Sequence, residues 1–290
     1  MKKQTKIYSF LAVSALALAA CGAEEETTND NTATTDENET SEPAEQTSST
    51  VGASYGLYDI ILEEAAPILA EEGITLEVEP YQDYILPNQD LENGDLDANY
   101  FQHIPYLNNQ IKEFGYDFVN IGGIHVEPMA IYSKKYTSIE EIPDGGTIIM
   151  SNSVAEQGRV LSLLESAGLI TLDPAVNKSE ATLDDIVENP KNLVIDADPS
   201  PEILVSFYEN EEGDAVVINS NFAIDAGINP VEDSIAIEDG ASEYVNVIAT
   251  TKEKENDPAL KRLVEVLQSD AISDFILEEW DGAVVPVGSN

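Results

Sequence analysis

Cysteine is nearly absent: Cys21 is the only one in 290 residues. A single thiol excludes an internal disulfide framework. Histidine is almost as scarce, with His103 and His125 the only two imidazoles. No cysteine/histidine metal cluster can be drawn from that supply. Gly-x-Ser-x-Gly and His-Glu-x-x-His are both missing, and no obvious nucleophile accompanies either histidine. The expectation is no metal, no cofactor and no enzymatic activity. Basic residues are also few, 13 against 56 acidic ones, for a net charge of -43. Such a balance excludes DNA, RNA and anionic lipid surfaces as partners by repulsion, and suits a solubilising extracellular surface. Beyond the N-terminus no run is long and apolar enough to span a bilayer. No internal repeat is evident. The length allows one large or two medium domains with a sizeable core.

What is present begins with a targeting segment. Lys2, Lys3 and Lys6 precede an uncharged, Ala-rich stretch from Ile7 to Ala20, and small residues follow at Ala19-Ala20-Cys21-Gly22. This is the pattern of a secretory signal, over residues 1–20, too short for a membrane-spanning helix. Leu18-Ala19-Ala20-Cys21 resembles a bacterial lipobox, which implies cleavage before Cys21 and lipid on its thiol and new amino group. The alternative is an ordinary signal with a stray cysteine. Residues 21–49 add Glu, Asp, Thr, Asn and Ser with almost no large apolar side chain. That composition cannot offset its ordering entropy, so it reads as an acidic, self-repelling tether of Gram-positive appearance.

The remainder alternates strands and helices. Thr50–Gly56 reads as a strand into a glycine turn. Tyr58–Glu72 has apolar residues at helical spacing (Ile61, Leu62, Ala65, Ile68, Leu69), Gly73 ends it, and Ile74–Val78 alternates as a strand. This βαβ opening predicts a parallel sheet, with ligand crevices at the C-terminal ends of its strands. Asp90–Asn99 and Ile104–Phe114 read as helices, Thr147–Met150 as a strand, and a Leu-rich helix follows with Arg159 at its start. Ala215–Asn219 reads as a buried strand. Asp257–Gln268 and Ala271–Trp280 read as closing helices.

One stretch concentrates aromatic surface. Asp83-Tyr84-Ile85-Leu86-Pro87-Asn88 is followed by Gly94-Asp95-Leu96-Asp97-Ala98-Asn99-Tyr100-Phe101-Gln102-His103-Ile104-Pro105-Tyr106-Leu107. Aromatic walls with a few polar groups suit a small amphipathic ligand, and also suit a packed helix. Both motifs resemble the methionine-binding lipoproteins of the NlpA type, the substrate-binding subunits of methionine ABC importers. So do Pro128–Lys135, Gly158-Arg159, Asp184–Leu193 and Asn219–Ala223, and the likeness spans Val51 to Val285. It implies an α/β, two-lobed periplasmic-binding-protein-like fold (type II), each lobe a mixed sheet flanked by helices. The lobes would comprise residues 50–131 with 245–290, and residues 132–244.

The resemblance also implies a site. Tyr84, Phe101 and His103 would line the cleft around the ligand side chain, Arg159 would hold the carboxylate, and Asn219, with Asn152, would meet the amino-acid end. From the residues alone, Arg159 could equally form an ion pair in so acidic a chain, and Asn219 could cap a turn. The pattern breaks at Ser153–Glu156, where Glu156 replaces an Asn, at Asp198–Glu202, and at Glu127, where a Tyr is common. A carboxylate in a dry cleft is costly unless paired. Glu156 therefore either points to solvent or meets a cation, whether the ligand's ammonium or a positive group on another ligand. The implied partners are methionine (L- or D-) or a close relative such as a Met-containing dipeptide, an ABC permease with its ATPase subunit, and a membrane through lipid on Cys21. The implied location is the outer face of a cell membrane. The competing readings are a surface lipoprotein with a different zwitterionic or cationic ligand, and an adhesin with none.

Overall fold

The computed structural model describes residues 47–239 and 243–287. The expected signal segment, Cys21 and most of the tether lie outside them. In chain order the elements are β1 (Thr47–Ser54), α1 (Leu57–Glu71), β2 (Ile74–Tyr81), α2 (Leu86–Asn93), β3 (Ala98–His103), α3 (Ile104–Phe114), β4 (Phe118–Val126) and β5 (Ala130–Tyr132). Then come β6 (Thr147–Ile149), α4 (Val154–Ser166), β7 (Thr171–Leu172), β8 (Ile186–Glu188), β9 (Val194–Asp196), α5 (Leu204–Glu209), β10 (Ala215–Ile218), α6 (Ser220–Asp225) and β11 (Ser234–Ile237). The chain closes with β12 (Val245–Thr251), α7 (Pro258–Leu267), α8 (Asp270–Trp280) and β13 (Val285–Pro286).

Two mixed sheets result. The first has the order β13-β4-β12-β3-β1-β2 and the second β11-β5-β10-β6-β9, with β7 and β8 forming a small separate ladder. The chain passes from the first sheet to the second between Val126 and Ala130, and returns between Ile237 and Val245. The boundary expected between residues 131 and 132 therefore cuts β5, which belongs wholly to the second sheet. The folded part also starts earlier than the expected residue 50, because Thr47 already pairs with Ile74 at the start of β2.

Each sheet has its own core. Leu57, Ile61, Leu62, Ala65 and Leu69 of α1 pack with Leu260, Leu263 and Leu267 of α7 and Ile276 of α8 on the first sheet. Val160, Leu161 and Leu164 of α4 pack with Ile148 and Val217 on the second. The apolar spacing of α1 is thus a helix face laid on a parallel β1–β2 pair, as the periodicity predicts. Gly56 starts α1 at φ 89°, a left-handed value that glycine tolerates best.

The helix expected over Asp90–Asn99 is a finding against the sequence reading. α2 begins earlier, at Leu86, and Gly94 ends it in the left-handed conformation. Ala98–His103 is then a strand, buried at all six positions between β1 and β12. Its two amide side chains, Asn99 and Gln102, are reconciled with burial by a closed amide cluster. Asn99 Nδ2 donates to Asn88 Oδ1 (2.9 Å), Gln102 Nε2 donates to the same oxygen (2.9 Å), and Asn88 Nδ2 donates to Gln102 Oε1 (3.1 Å). Buried amides stay inexpensive only when satisfied in this way.

Gly158 lets the turn at Lys178–Glu180 close onto α4. A Cβ there would lie 2.5 Å from the Lys178 carbonyl oxygen and 2.6 Å from the Ser179 carbonyl carbon. Both are backbone atoms, so Gly158→Ala is expected to destabilise the protein by roughly 1–3 kcal/mol despite alanine's helix propensity. Chemical denaturation of the variant checks this, and an unchanged midpoint would contradict it.

Candidate functional site

Residues from both sheets and their helices line one cavity. Six of the sequence-predicted residues line it: Tyr84, Phe101, His103, Glu156, Arg159 and Asn219. Asn152 does not. It is exposed and donates to the Asp198 carbonyl (3.2 Å).

The first sheet contributes the rings. Asp83 Oδ1 accepts the Ile85 and Leu86 backbone N–H groups (2.7 and 2.8 Å), a turn that starts α2 and sets Tyr84 at the cavity. Phe101 and His103 stand two residues apart on β3 and so share a face. His103 also ends the strand and caps α3, its Nδ1 accepting the Tyr106 backbone N–H (3.0 Å). Tyr106 joins the same group: its hydroxyl donates to the Tyr84 carbonyl (2.8 Å), and the Tyr84, Phe101 and Tyr106 ring centroids lie 5.9–6.2 Å apart. The Tyr84 hydroxyl reaches across the cleft and donates to Asn221 Oδ1 of α6 (2.6 Å).

The second sheet contributes the charges. α4 follows β6, and Glu156 and Arg159 stand three residues apart on it, a spacing that places both on one helix face. Arg159 is the sixth residue of α4, not its first, so the helix-start amides do not assist it. The guanidinium is 5 % exposed and stacks 4.3 Å over the Tyr244 ring. Its Nε and Nη2 grip Glu238 (3.1 and 2.6 Å) and Nη2 also donates to the Glu127 carbonyl (2.7 Å). Nη1 has no hydrogen-bond partner among the described residues. Arg159 is thus both a buried ion pair and a donor with capacity left.

Glu156 is 2 % exposed, which removes the solvent-facing alternative. One oxygen accepts from Asn219 Nδ2 and lies 3.8 Å from His103 Nε2, while the other, Oε2, is buried without a partner among the described residues. Burial works to raise its pKa, but the His103 N–H, the Arg159 charge and the Asn219 amide outweigh it, and the carboxyl is held below its usual range. Asn219 follows β10 and stands at the N-cap position of α6, but its side chain makes no capping hydrogen bond and donates to Glu156 instead.

Glu127, which follows β4, forms the floor. His125 Nε2 lies 2.8 Å from Glu127 Oε1, and Asn246 Nδ2 donates to the same oxygen (3.3 Å). The other His125 nitrogen pairs with the Tyr100 hydroxyl. Burial raises the Glu127 pKa; the hydrogen bond and charge of His125, the nearby Tyr58 hydroxyl and Arg159 bring it below the ordinary value. Tyr58, Tyr106, Asn221, Tyr244, Asn246 and Glu238 were not singled out as site residues from sequence. Asn221 lies inside the Asn219–Ala223 motif and Tyr106 inside the aromatic one, so both were within reach; Tyr244 and Glu238 have no local signal. No group of three or more His, Cys, Asp or Glu among the described residues could hold a metal ion.

Two sheets joined by crossing segments, with aromatics on one wall and an arginine–glutamate helix face on the other, define a two-lobed, periplasmic-binding-protein-like substrate-binding fold. The chain belongs to the NlpA lipoprotein family, whose pattern it matches over residues 50–288. It is 51 % identical over 229 residues to the methionine-binding lipoprotein MetQ of Bacillus subtilis, covering 78 % of this chain and 83 % of that one. A pheromone cOB1 precursor/lipoprotein of the YaeC family from Enterococcus faecalis superposes with a TM-score of 0.81 at 53 % identity, covering 83 % of this chain and 100 % of that one. A nutrient-binding protein from Burkholderia cenocepacia bound to methionine gives 0.78 at 35 % identity, covering 82 % and 98 %.

Proposed function

We propose that this chain is the substrate-binding lipoprotein of an ABC importer, and that it captures methionine or a close relative between its two lobes. The observation that carries this reading is a pair of unused groups in one cavity lining. Among the described residues Arg159 uses only Nε and Nη2 in hydrogen bonds, and Glu156 has a buried carboxylate oxygen without a partner, beside three aromatic rings. An α-amino acid supplies the two missing partners and an apolar tail. Its carboxylate goes to Arg159, its ammonium to Glu156 and Asn219, and its side chain to Tyr84, Phe101 and His103. The names of the similar proteins support methionine as that acid. The lipobox-like Cys21 supports an anchor at the outer face of the cell membrane, of the Gram-positive kind, and closure of the lobes would present the loaded protein to a permease and its ATPase. Residues 47–126 with 245–287, and 130–237, serve as the two moving bodies.

The test is a thermal-shift and calorimetric screen of amino acids and Met-containing dipeptides. Free ligand at about 100 times Kd should add roughly 2.7 kcal/mol of stability. A screen with no shift from any of them would sink the proposal.

A further inference from the structure

Arg159 is held along one edge and on one face. Its Nε and Nη2 engage Glu238 (3.1 and 2.6 Å), and Nη2 also donates to the Glu127 carbonyl (2.7 Å). Its flat face lies 4.3 Å over the Tyr244 ring. These partners come from different lobes. Glu238 directly follows β11 and belongs, like α4, to the lobe of the second sheet, so it can travel with the guanidinium. Tyr244 directly precedes β12, an interior strand of the first sheet, and moves with that sheet. The stacking of Arg159 on Tyr244 is therefore a contact between the lobes.

Tyr244 does not line the cavity, but its ring touches the site from both sides. Its other ring neighbour is His103, met edge to face with centroids 5.1 Å apart and planes at 83°. One buried ring thus stands behind two lining residues, one from each lobe. A guanidinium taken out of water is drawn to the negative face of an aromatic ring and lies flat on it. With its edge on Glu238 and its face on Tyr244, the fork has one orientation left. Opening the lobes draws the guanidinium off the ring, so this attraction counts only in the closed form. A ligand's apparent affinity falls with the fraction of protein able to hold it. A residue that favours closure therefore raises affinity without touching the ligand.

We infer that Tyr244 is a positioning residue for ligand capture, the surface on which the Arg159 guanidinium settles as the lobes close. The inference rests on the amino-acid-binding reading and adds to it what favours closure at the carboxylate end. Tyr244 acts through Arg159, so its contribution falls on release of the ligand rather than on its entry into the open cleft.

Calorimetry and stopped-flow kinetics of the full-length protein with L-methionine test this. Tyr244→Leu should weaken binding about tenfold, through faster release with little change in the association rate. Tyr244→Phe keeps the ring and should stay within about threefold of the unmodified protein. Pentafluorophenylalanine at the same position keeps that shape but reverses the charge on the ring face, and should bind as weakly as Tyr244→Leu. Unchanged affinity in Tyr244→Leu overturns the inference and leaves methionine capture intact, and so does a loss carried by the association rate. Equal binding by the phenylalanine and pentafluorophenylalanine proteins overturns it too, and that pair decides the matter if Tyr244→Leu does not fold. Failure of the unmodified protein to bind L-methionine removes the reading beneath it and the inference with it.

Discussion

Replacing Arg159 with alanine is expected to abolish ligand capture while the fold survives. Truncating one member of a buried, hydrogen-bonded charge pair costs about 2–5 kcal/mol, at least about thirtyfold in Kd, because the opposite charge is left behind. In the proposed arrangement that charge is the ligand carboxylate. Glu238 is less exacting, since its side chain is 20 % exposed and can turn to water when the guanidinium goes. Far-ultraviolet circular dichroism should therefore match the unmodified protein, while calorimetry with the best ligand of the screen shows no heat. Arg159→Lys gives the sharper control. It keeps the charge and loses the planar fork that grips Glu238 and the Glu127 carbonyl together, so binding should fall without vanishing. Full affinity in Arg159→Ala would mean that the carboxylate is held elsewhere.

The second large effect is expected at His125, which is fully buried and touches no ligand in the proposed arrangement. His125→Leu strips the Glu127 carboxylate of its shortest hydrogen bond and leaves the Tyr100 hydroxyl without its imidazole partner. Removing one side of a buried charged pair costs roughly 3–5 kcal/mol, which urea denaturation would read directly. The pH dependence has a definite sign. Glu127 and Glu156 both titrate below their ordinary value of 4.5 in the folded protein. The unfolded chain thus binds their protons more readily than the folded one. Their stabilisation is complete above about pH 4.5 and is lost as pH falls through the depressed values. In His125→Leu the Glu127 part of that acid sensitivity should shrink, because its carboxyl no longer has the imidazole to hold it ionised. A variant with unmodified stability and unmodified acid midpoint would refute this account of the cavity floor.

Much of this was legible in the chain itself. The helix face of α1, the strand after it and the closing helices follow from periodicity and terminal glycines. The pairing of Glu156 with Arg159 was not legible, because the helix was expected to start at Arg159, whereas α4 starts at Val154 and carries both residues three apart on one face. Strand β3 was not legible, for a definable reason. Asn99 and Gln102 look like solvent-facing helix positions until Asn88, 11 and 14 residues away, completes their hydrogen bonds. Glu238 was invisible as the partner of Arg159 because 79 residues separate them and nothing local marks it. Asn152 illustrates the opposite error. Its identity fitted the family pattern, but its side chain is exposed and is engaged by the Asp198 carbonyl, outside the cavity lining.

The order in which the chain emerges gives β3 an unusual history. It pairs with β1 through Val51 and Ala98, nearby in sequence, but its other neighbour is β12, where Asn246 meets His103. The whole second sheet is synthesised between these two events. Until β12 arrives, the strand bearing Phe101 and His103 has a bare edge, and such distant pairing is slow to form. A nascent or freshly translocated molecule should thus acquire its ligand pocket last, and in that interval its exposed edge is the segment a chaperone has most reason to cover.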